Sequence, residues 1–257
     1  MALRNSAALA ALALAACGAG EAKPEAEPER APLGLFTTLP IYWQENADFA
    51  SMLSEEGEPG WVRSALEESY RVEPLDVLDE TALASVRQLV LAQPRALSGA
   101  ENVALDNWVR GGGQLLLFAD PMLTGHSQFA IGDPRRPQDV VLLSPILARW
   151  GLELTFDEQQ AEGERLVVML ETAIPVHLAG TFQTRESEKG ARCSLSGSGI
   201  LAQCTLGNGR VTLLADAAVL DDGPAHDDHS PEAEQGHAQD ARRTAFGALV
   251  DAAFDRR

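Results

Sequence analysis

The chain has 257 residues, and 45% of them are hydrophobic, which is enough to build a substantial core. Its formal net charge of −18 at pH 7 would repel both nucleic-acid phosphates and anionic lipid headgroups. The composition therefore predicts a globular protein with no nucleic-acid partner and no basic membrane-binding patch.

The first residues of the chain, MALRNSAALAALALAACGAG, are typical of an export signal. One arginine precedes an Ala/Leu run of about a dozen residues, which is too short to span a bilayer. The stretch Leu14-Ala15-Ala16-Cys17 is similar to a bacterial lipobox, in which cleavage precedes a cysteine that is then lipidated. We predict a lipoprotein signal over residues 1–17 with Cys17 lipidated, and an ordinary secretory signal is the alternative.

This signal predicts attachment to the periplasmic face of the bacterial cell envelope through N-terminal acyl chains, in either the inner or the outer membrane. Residues 18–32 are rich in Glu, Pro and Ala without apolar periodicity, which indicates an extended tether. Residues 33–257 are predicted to form a single α/β domain that contains a late loop over residues 222–240.

Strand and helix patterns alternate in the first half of this domain. A strand pattern at 33–43 is followed by a helix pattern at 60–70 and an extended segment at 71–78. A short helix at 80–87 then precedes the unalternated aliphatic run 89–92, which is typical of a strand buried on both faces. This β-α-β order predicts a mostly parallel sheet flanked by helices.

A glycine triplet, Gly111–Gly113, permits either a phosphate loop or a turn between a helix and a strand. Ser98 and Glu101 form a capping-box pattern, so a helix precedes the glycines, and the apolar run 114–118 follows them. Phosphate loops have the reverse order, because the free amides that bind the anion belong to a helix start. We therefore predict that the triplet ends a helix and has no nucleotide-binding role.

The second half of the domain changes to a strand-rich pattern. Ser144 is predicted to cap a short helix that Gly151 ends. An antiparallel β meander is predicted after that helix, with one last strand of the main sheet at 210–216. The chain is then expected to end in a helix, whose apolar face carries Phe246, Leu249, Val250 and Ala253.

Two cysteines remain once Cys17 is lipidated. Cys193 and Cys204 flank a Ser-Gly-Ser-Gly turn in a hairpin pattern, and an oxidising periplasm would favour a disulfide between them. A metal-binding or redox pair is the alternative, but the C-x-x-C spacing is absent. Because these cysteines lie in a hairpin and no G-x-S-x-G elbow is present, no catalytic residue is predicted.

Polar side chains stand at the predicted carboxyl ends of three parallel strands, where open α/β sheets place their ligands. Gln93, Asp120 and Asp216 occupy these ends and are our ligand-binding candidates. The loop after Asp120 adds three more candidates, His126, Arg135 and Arg136. In the late loop, His226 and His229 are candidate ligands of a divalent metal, which is the one cofactor left open.

Each candidate also has a purely structural interpretation. Asp120 precedes a proline, and such a residue is often only a turn former. Arg135 and Arg136 can pair with neighbouring carboxylates, and the late loop can be a solvated insertion. His177 lies in an apolar strand and is expected to be packed.

Residues 90–121 read VLAQPRALSGAENVALDNWVRGGGQLLLFADP, and residues 209–220 read GRVTLLADAAVL. A strand ending in Gln-Pro, a capped helix, glycines, a strand ending in Asp-Pro and a late Ala-Asp step follow one another. This order resembles the auxiliary component of ABC-type transport systems, including the gliding-motility type, over about residues 33–150. The resemblance implies a flavodoxin-like fold similar to class I glutamine amidotransferases, without obligate catalysis.

Three functional hypotheses follow. The first is a non-enzymatic, lipid-anchored periplasmic accessory or ligand-sensing component, with an ABC permease, an ATPase or another envelope protein as partner. The second is a metal-dependent hydrolase of an envelope substrate that uses Asp120, His126, Asp216 and His226. The third is a receptor for a soluble ligand at the same strand ends.

Overall fold

The computed structural model describes residues 30–45, 59–186, 190–221 and 232–254. The predicted signal peptide, Cys17, most of the tether, His226 and His229 lie outside these residues. Within them, no helix is both long enough and apolar enough to cross a bilayer.

Eleven strands and five α-helices make up this part of the chain. The first half contains β1 (Ala31–Thr37), α1 (Trp61–Glu67), β2 (Tyr70–Pro74), α2 (Glu80–Ala84), β3 (Gln88–Ala92), α3 (Gly99–Arg110), β4 (Gln114–Phe118) and α4 (Ser144–Arg149). The second half contains β5 (Leu152–Thr155), β6 (Glu164–Met169), β7 (Thr172–His177), β8 (Thr181–Thr184), β9 (Arg192–Ser196), β10 (Leu201–Leu206), β11 (Gly209–Leu214) and α5 (Glu232–Phe254).

The main sheet has seven strands in the order β2-β1-β3-β4-β11-β10-β9. The first five are parallel neighbours, and β10 and β9 continue the sheet antiparallel. Five parallel strands in this order have the flavodoxin-like connectivity. The predicted α/β class, mostly parallel sheet and closing strand near 210–216 are confirmed. Separate antiparallel pairs, β5-β8 and β6-β7, complete the second half.

Helices cover both faces of the parallel strands, which explains their unbroken apolar sequences. Helices α1 and α5 pack on one face with Leu35, Phe118 and Leu214 of the sheet. Helices α2, α3 and α4 pack on the other with Leu91 and Leu117. Neighbouring residues of one strand thus belong to opposite cores.

The glycine triplet ends helix α3, as predicted. The amide of Gly111 donates to Asn107 O (2.9 Å), that of Gly112 to Val109 O (2.9 Å) and that of Gly113 to Trp108 O (3.1 Å). Gly112 has a φ of +120°, which favours glycine over any L side chain. All three amides are therefore used by the helix terminus, and none is available to an anion.

The capping box at the other end of α3 is also present. Ser98 Oγ accepts from the amide of Glu101 (3.2 Å), and Glu101 Oε2 accepts from the amide of Ser98 (2.8 Å). The Arg95 guanidinium, 2.7 Å from Glu101 Oε1, is the main reason that the pKa of Glu101 falls to about 2. The start of α3 thus carries a carboxylate that is ionised throughout the physiological pH range.

The predicted disulfide is present between β9 and β10. Cys193 and Cys204 are directly opposite in the antiparallel ladder, with Cα atoms 4.0 Å apart. The cysteine hairpin is therefore the outer edge of the main sheet.

Several predicted boundaries differ from the structure. Helix α5 begins at Glu232, so the second part of the predicted loop 222–240 is helical. Strand β1 begins at Ala31, so the end of the predicted tether belongs to the sheet. Ser144 is the first residue of α4, and Leu143 takes the capping position without a side-chain hydrogen bond.

Candidate functional site

A cavity of about 580 Å³ opens where the parallel strands β1, β4 and β11 end. Its walls come from the loops after these strands, the start of α1, the β6-β7 pair and one side of α5. Apolar side chains form much of this wall, including Leu39, Ile41, Trp61, Val62, Leu123 and Leu220. This is the edge at which doubly wound sheets bind ligands.

Five of the lining residues can be charged or can titrate: His126, Glu164, His177, Asp221 and Arg242. Glu164 and His177 are paired residues of the β6-β7 ladder, so they stand side by side at one wall. Arg242 of α5 donates from Nη2 to Glu164 Oε2 and is 4% exposed. The cavity thus combines a largely apolar wall with a cluster of polar side chains that come from β6, β7 and α5.

Gln93 is a buried structural link between two strand ends. Its Nε2 donates to Asp120 O (2.9 Å) and Gln138 O (2.8 Å), and its Oε1 accepts from the amide of Asp120 (2.9 Å). Its φ of +45° is unusual for a residue with a side chain. The Gln93 carboxamide therefore links the end of β3 to the end of β4 through hydrogen bonds to backbone groups. Gln93 is not among the cavity-lining residues.

Asp120 and Asp216 form a pair of buried carboxyl groups behind the cavity wall. Asp120 accepts from the amides of Met122 (2.8 Å) and Ala217 (3.2 Å). Asp216 accepts from the amides of Ala218 (2.7 Å) and His177 (2.8 Å). Each carboxyl group thus fixes the turn after its own strand and reaches one neighbouring element.

Burial raises the pKa of both groups. Desolvation is the main cause of the rise of the Asp120 pKa to about 7, and the charge of Asp221 adds to it. The pKa of Asp216 is raised well above its ordinary value by desolvation and then by repulsion from Asp120. Both shifts disfavour the charged forms of these carboxyl groups, and the charged form is the one that binds a cation.

This geometry does not favour the metal-dependent hydrolase. Asp120 and Asp216 accept hydrogen bonds from backbone amides and do not line the cavity. Two of the four residues of that hypothesis therefore hold turns in place and do not face the cavity. Within the described ranges, no group of three or more His, Cys, Asp or Glu side chains could hold a metal ion.

The remaining candidates separate into two groups. His126 lines the cavity, and its role in binding a ligand stays a prediction. Arg135 pairs with Asp133 (2.7 Å) and Arg136 with Asp139 (3.0 Å). Both arginines therefore pair with neighbouring carboxylates, as their purely structural interpretation predicts. Neither arginine is among the cavity-lining residues.

Sequence reasoning missed part of the site. His177 was expected to be packed, but it is partly exposed and lines the cavity. Arg242 was not singled out, although its spacing of four residues before Phe246 and seven before Leu249 places it on the apolar side of α5. A charged residue on an apolar helix face was the available signal.

Several solved structures share features of the fold. An exo-beta-1,4-mannosidase, Op5Man5, from Opitutaceae bacterium strain TAV5 is 15% identical, with a TM-score of 0.48, over 88% of this chain and 36% of that one. A beta-galactosidase from Bacillus circulans sp. alkalophilus is 10% identical, with a TM-score of 0.43, over 87% and 31%. The chain spans about a third of the length of these glycosidases.

A cytoplasmic protein from Salmonella typhimurium LT2 is 13% identical, with a TM-score of 0.41, over 76% of this chain and 88% of that one. No curated protein matches the chain.

The family assignment comes from a sequence model described as ABC-type uncharacterized transport system. It matches residues 33–173, which is more than half of the chain. The match includes β1 to β4, the capped helix α3 and the glycine triplet, and it confirms the resemblance to auxiliary components of ABC-type transport systems. The chain belongs to this ABC-type transport system family.

Proposed function

We propose that the chain is a lipid-anchored periplasmic accessory component of an ABC-type transport system, and that it senses a small ligand. The observation that carries the sensing role is the cavity at the carboxyl ends of β1, β4 and β11. Its volume lies in the usual range for sites that enclose a small organic molecule, about 300–1,000 Å³. Apolar walls with a few polar groups are typical of such sites.

A non-enzymatic role is supported by how the chemically capable groups are used. Cys193 and Cys204 are joined in the disulfide, so neither thiol is available as a nucleophile. The amides of the glycine triplet are bound to helix carbonyls. Asp120 and Asp216 hold turns in place. The groups that remain at the cavity are suited to binding.

The lipid anchor is tested by metabolic labelling with a radioactive fatty acid in a bacterial host. The native chain should carry the label and sediment with membranes, whereas Cys17→Ala should lose both properties. The matched control is the double variant Cys193→Ser/Cys204→Ser, which should keep the label because its lipidation site is intact. Equal labelling of the native chain and Cys17→Ala would contradict the anchor.

The partner is tested by purifying the tagged full-length chain from membranes in a mild detergent. A permease or ATPase of the ABC type should co-purify with it in a fixed ratio. The Cys17→Ala variant, expressed in the same compartment, separates binding through the domain from simple co-localisation on the membrane. Recovery of the chain with no transporter subunit would contradict the accessory role.

A further inference from the structure

Arg242 is a buried cation of the cavity, and among the described residues most of its N–H donors have no acceptor. A guanidinium has five N–H donors in a planar arrangement. In the described part of the chain, its hydrogen-bond partner is Glu164, and its buried Nε has none. A buried donor without an acceptor is unfavourable, and a ligand that enters the cavity can supply that acceptor.

The surroundings of Arg242 define the acceptor. Glu164 holds one side of the guanidinium, and His177 is the ladder partner of Glu164 on β7. His126, on the loop after β4, contributes a second imidazole to the same cavity. Imidazole and guanidinium groups can both donate to one oxygen-rich group, and a carboxylate matches the planar fork of arginine.

The rest of the wall defines the body of the ligand. Leu39, Ile41, Leu123 and Leu220 supply an aliphatic surface, and Trp61 adds an aromatic ring. The carboxylates of Glu164 and Asp221 also belong to the lining, so a ligand with one negative charge fits better than a ligand with two.

We propose that the cavity binds a small monocarboxylic acid with an apolar acyl or aryl body. The ligand carboxylate accepts hydrogen bonds from N–H groups of Arg242 and from an imidazole N–H of His126 or His177. The apolar part of the ligand lies against the aliphatic wall. This inference rests on the ligand-sensing part of the proposed function and names the class of ligand.

The test is calorimetric titration of the full chain with 3-phenylpropanoate and with its uncharged isostere 3-phenylpropanamide. The acid is expected to bind at least about tenfold more tightly than the amide, because hydrogen bonds to a charged acceptor are roughly twice as strong. Equal binding of the two compounds would overturn the proposal. A Kd for the acid that is weaker than about 10 mM would also overturn the proposal, because specific binding of a small ligand is tighter than this.

Variants of the ion pair should move the affinity for the acid in opposite directions. Arg242→Gln should weaken binding of the acid about tenfold or more and leave the amide unchanged, since it removes the charge-assisted donors. Glu164→Gln should strengthen binding of the acid several-fold, because the carboxylate that competes for the Arg242 guanidinium is replaced by a neutral amide. Unchanged affinity for the acid in a folded Arg242→Gln variant would overturn the proposal.

The matched control is Arg243→Gln. Arg243 is the next residue along α5, its guanidinium lies 5.5 Å from the Trp61 ring centroid, and it is not among the lining residues. It should bind the acid as the native chain does. If Arg242→Gln fails to fold, as judged by circular dichroism, Glu164→Gln decides the matter, and weaker or unchanged binding of the acid in that variant overturns the proposal.

This outcome is separable from the accessory role. Failure of acid binding leaves co-purification with transporter subunits intact, and failure of co-purification leaves calorimetry on the isolated chain intact.

Discussion

Asp120 is a buried carboxyl group whose charge state should be visible in the stability of the protein. Its pKa is raised to about 7, mainly by desolvation, while the unfolded chain has a value near 4. Between these values the folded chain holds a proton that the unfolded chain has released. The free energy of unfolding contributed by this group is therefore highest below pH 4 and falls as the pH rises to about 7.

We predict that Asp120→Asn flattens the pH dependence of stability. Because Asn carries no ionisable proton, the slope of unfolding free energy between pH 5 and 7 should become less negative by up to about 1.4 kcal/mol per pH unit. Urea denaturation at several pH values measures the slope. The control is Asp133→Asn, because the pKa of Asp133 is about 2 and its ionisation is complete throughout this range. Equal slopes for the native chain and Asp120→Asn would contradict the prediction.

Gly113 illustrates why a residue that ends a helix also has to be small. A Cβ at this position would lie 2.5 Å from ring atoms of Trp108, whose indole N–H donates to Val86 O (3.1 Å). We predict that Gly113→Ala lowers the free energy of unfolding by about 1–3 kcal/mol through overpacking. Chemical denaturation measures the loss.

Gly99→Ala is the matched control for this prediction. Gly99 is the first residue of α3, and a Cβ there would meet nothing within 4 Å. The better helix propensity of alanine should leave stability unchanged or raise it slightly. If both glycine variants lose the same stability, the contact with Trp108 is not the cause.

At the scale of elements, Asp106 joins two helices on one face of the sheet. Asp106 of α3 is fully buried and accepts from Arg110 Nε (2.9 Å), Arg149 Nη2 (2.8 Å) and Trp150 Nε1 (3.2 Å). One carboxylate thus neutralises two guanidinium groups and satisfies an indole. The position of α4 against α3 depends on this group.

We predict that Asp106→Asn destabilises the protein by about 2–4 kcal/mol, because breaking a buried ion pair leaves uncompensated charge. Thermal and urea unfolding measure the effect. The control is Glu67→Gln, which breaks the half-exposed pair between Arg63 and Glu67 and should cost less than about 1 kcal/mol. A cost for Asp106→Asn that is no larger than the control would contradict the prediction.

Local sequence patterns predicted the elements whose determinants are close together in the chain. The capping box of Ser98 and Glu101, the glycines after α3 and the cysteine hairpin each depend on residues a few positions apart. The strand-end positions of Gln93, Asp120 and Asp216 were also found, since an edge of a parallel sheet follows from strand order. Their orientation toward backbone amides was not.

The polar part of the cavity could not be predicted in the same way. Glu164 and Arg242 meet across 78 residues of sequence, and their contact depends on how the β6-β7 pair packs against α5. His126 was found because it follows a predicted strand end. His177 was assigned to the core because strand alternation does not tell which strand end borders a cavity.

At the scale of the whole molecule, the disulfide fastens the outer edge of the main sheet. We predict that Cys193→Ser/Cys204→Ser, or reduction of the native chain, lowers the free energy of unfolding by about 2–3 kcal/mol, chiefly by releasing the unfolded chain. This corresponds to a fall of about 4–12 °C in Tm, measured by calorimetry. Ser194→Ala in the same strand is the control and should change Tm little. An unchanged Tm on reduction would contradict the prediction.

The direction of β1 has a consequence for geometry at a surface. Ala31 begins β1 at the amino edge of the parallel strands, and the cavity opens beyond their carboxyl edge. A chain held by lipid at its N-terminus would therefore be attached at one pole and open at the other. In the proposed lipid-anchored arrangement, solutes would reach the opening from the side that faces away from the membrane, without first crossing the layer of headgroups.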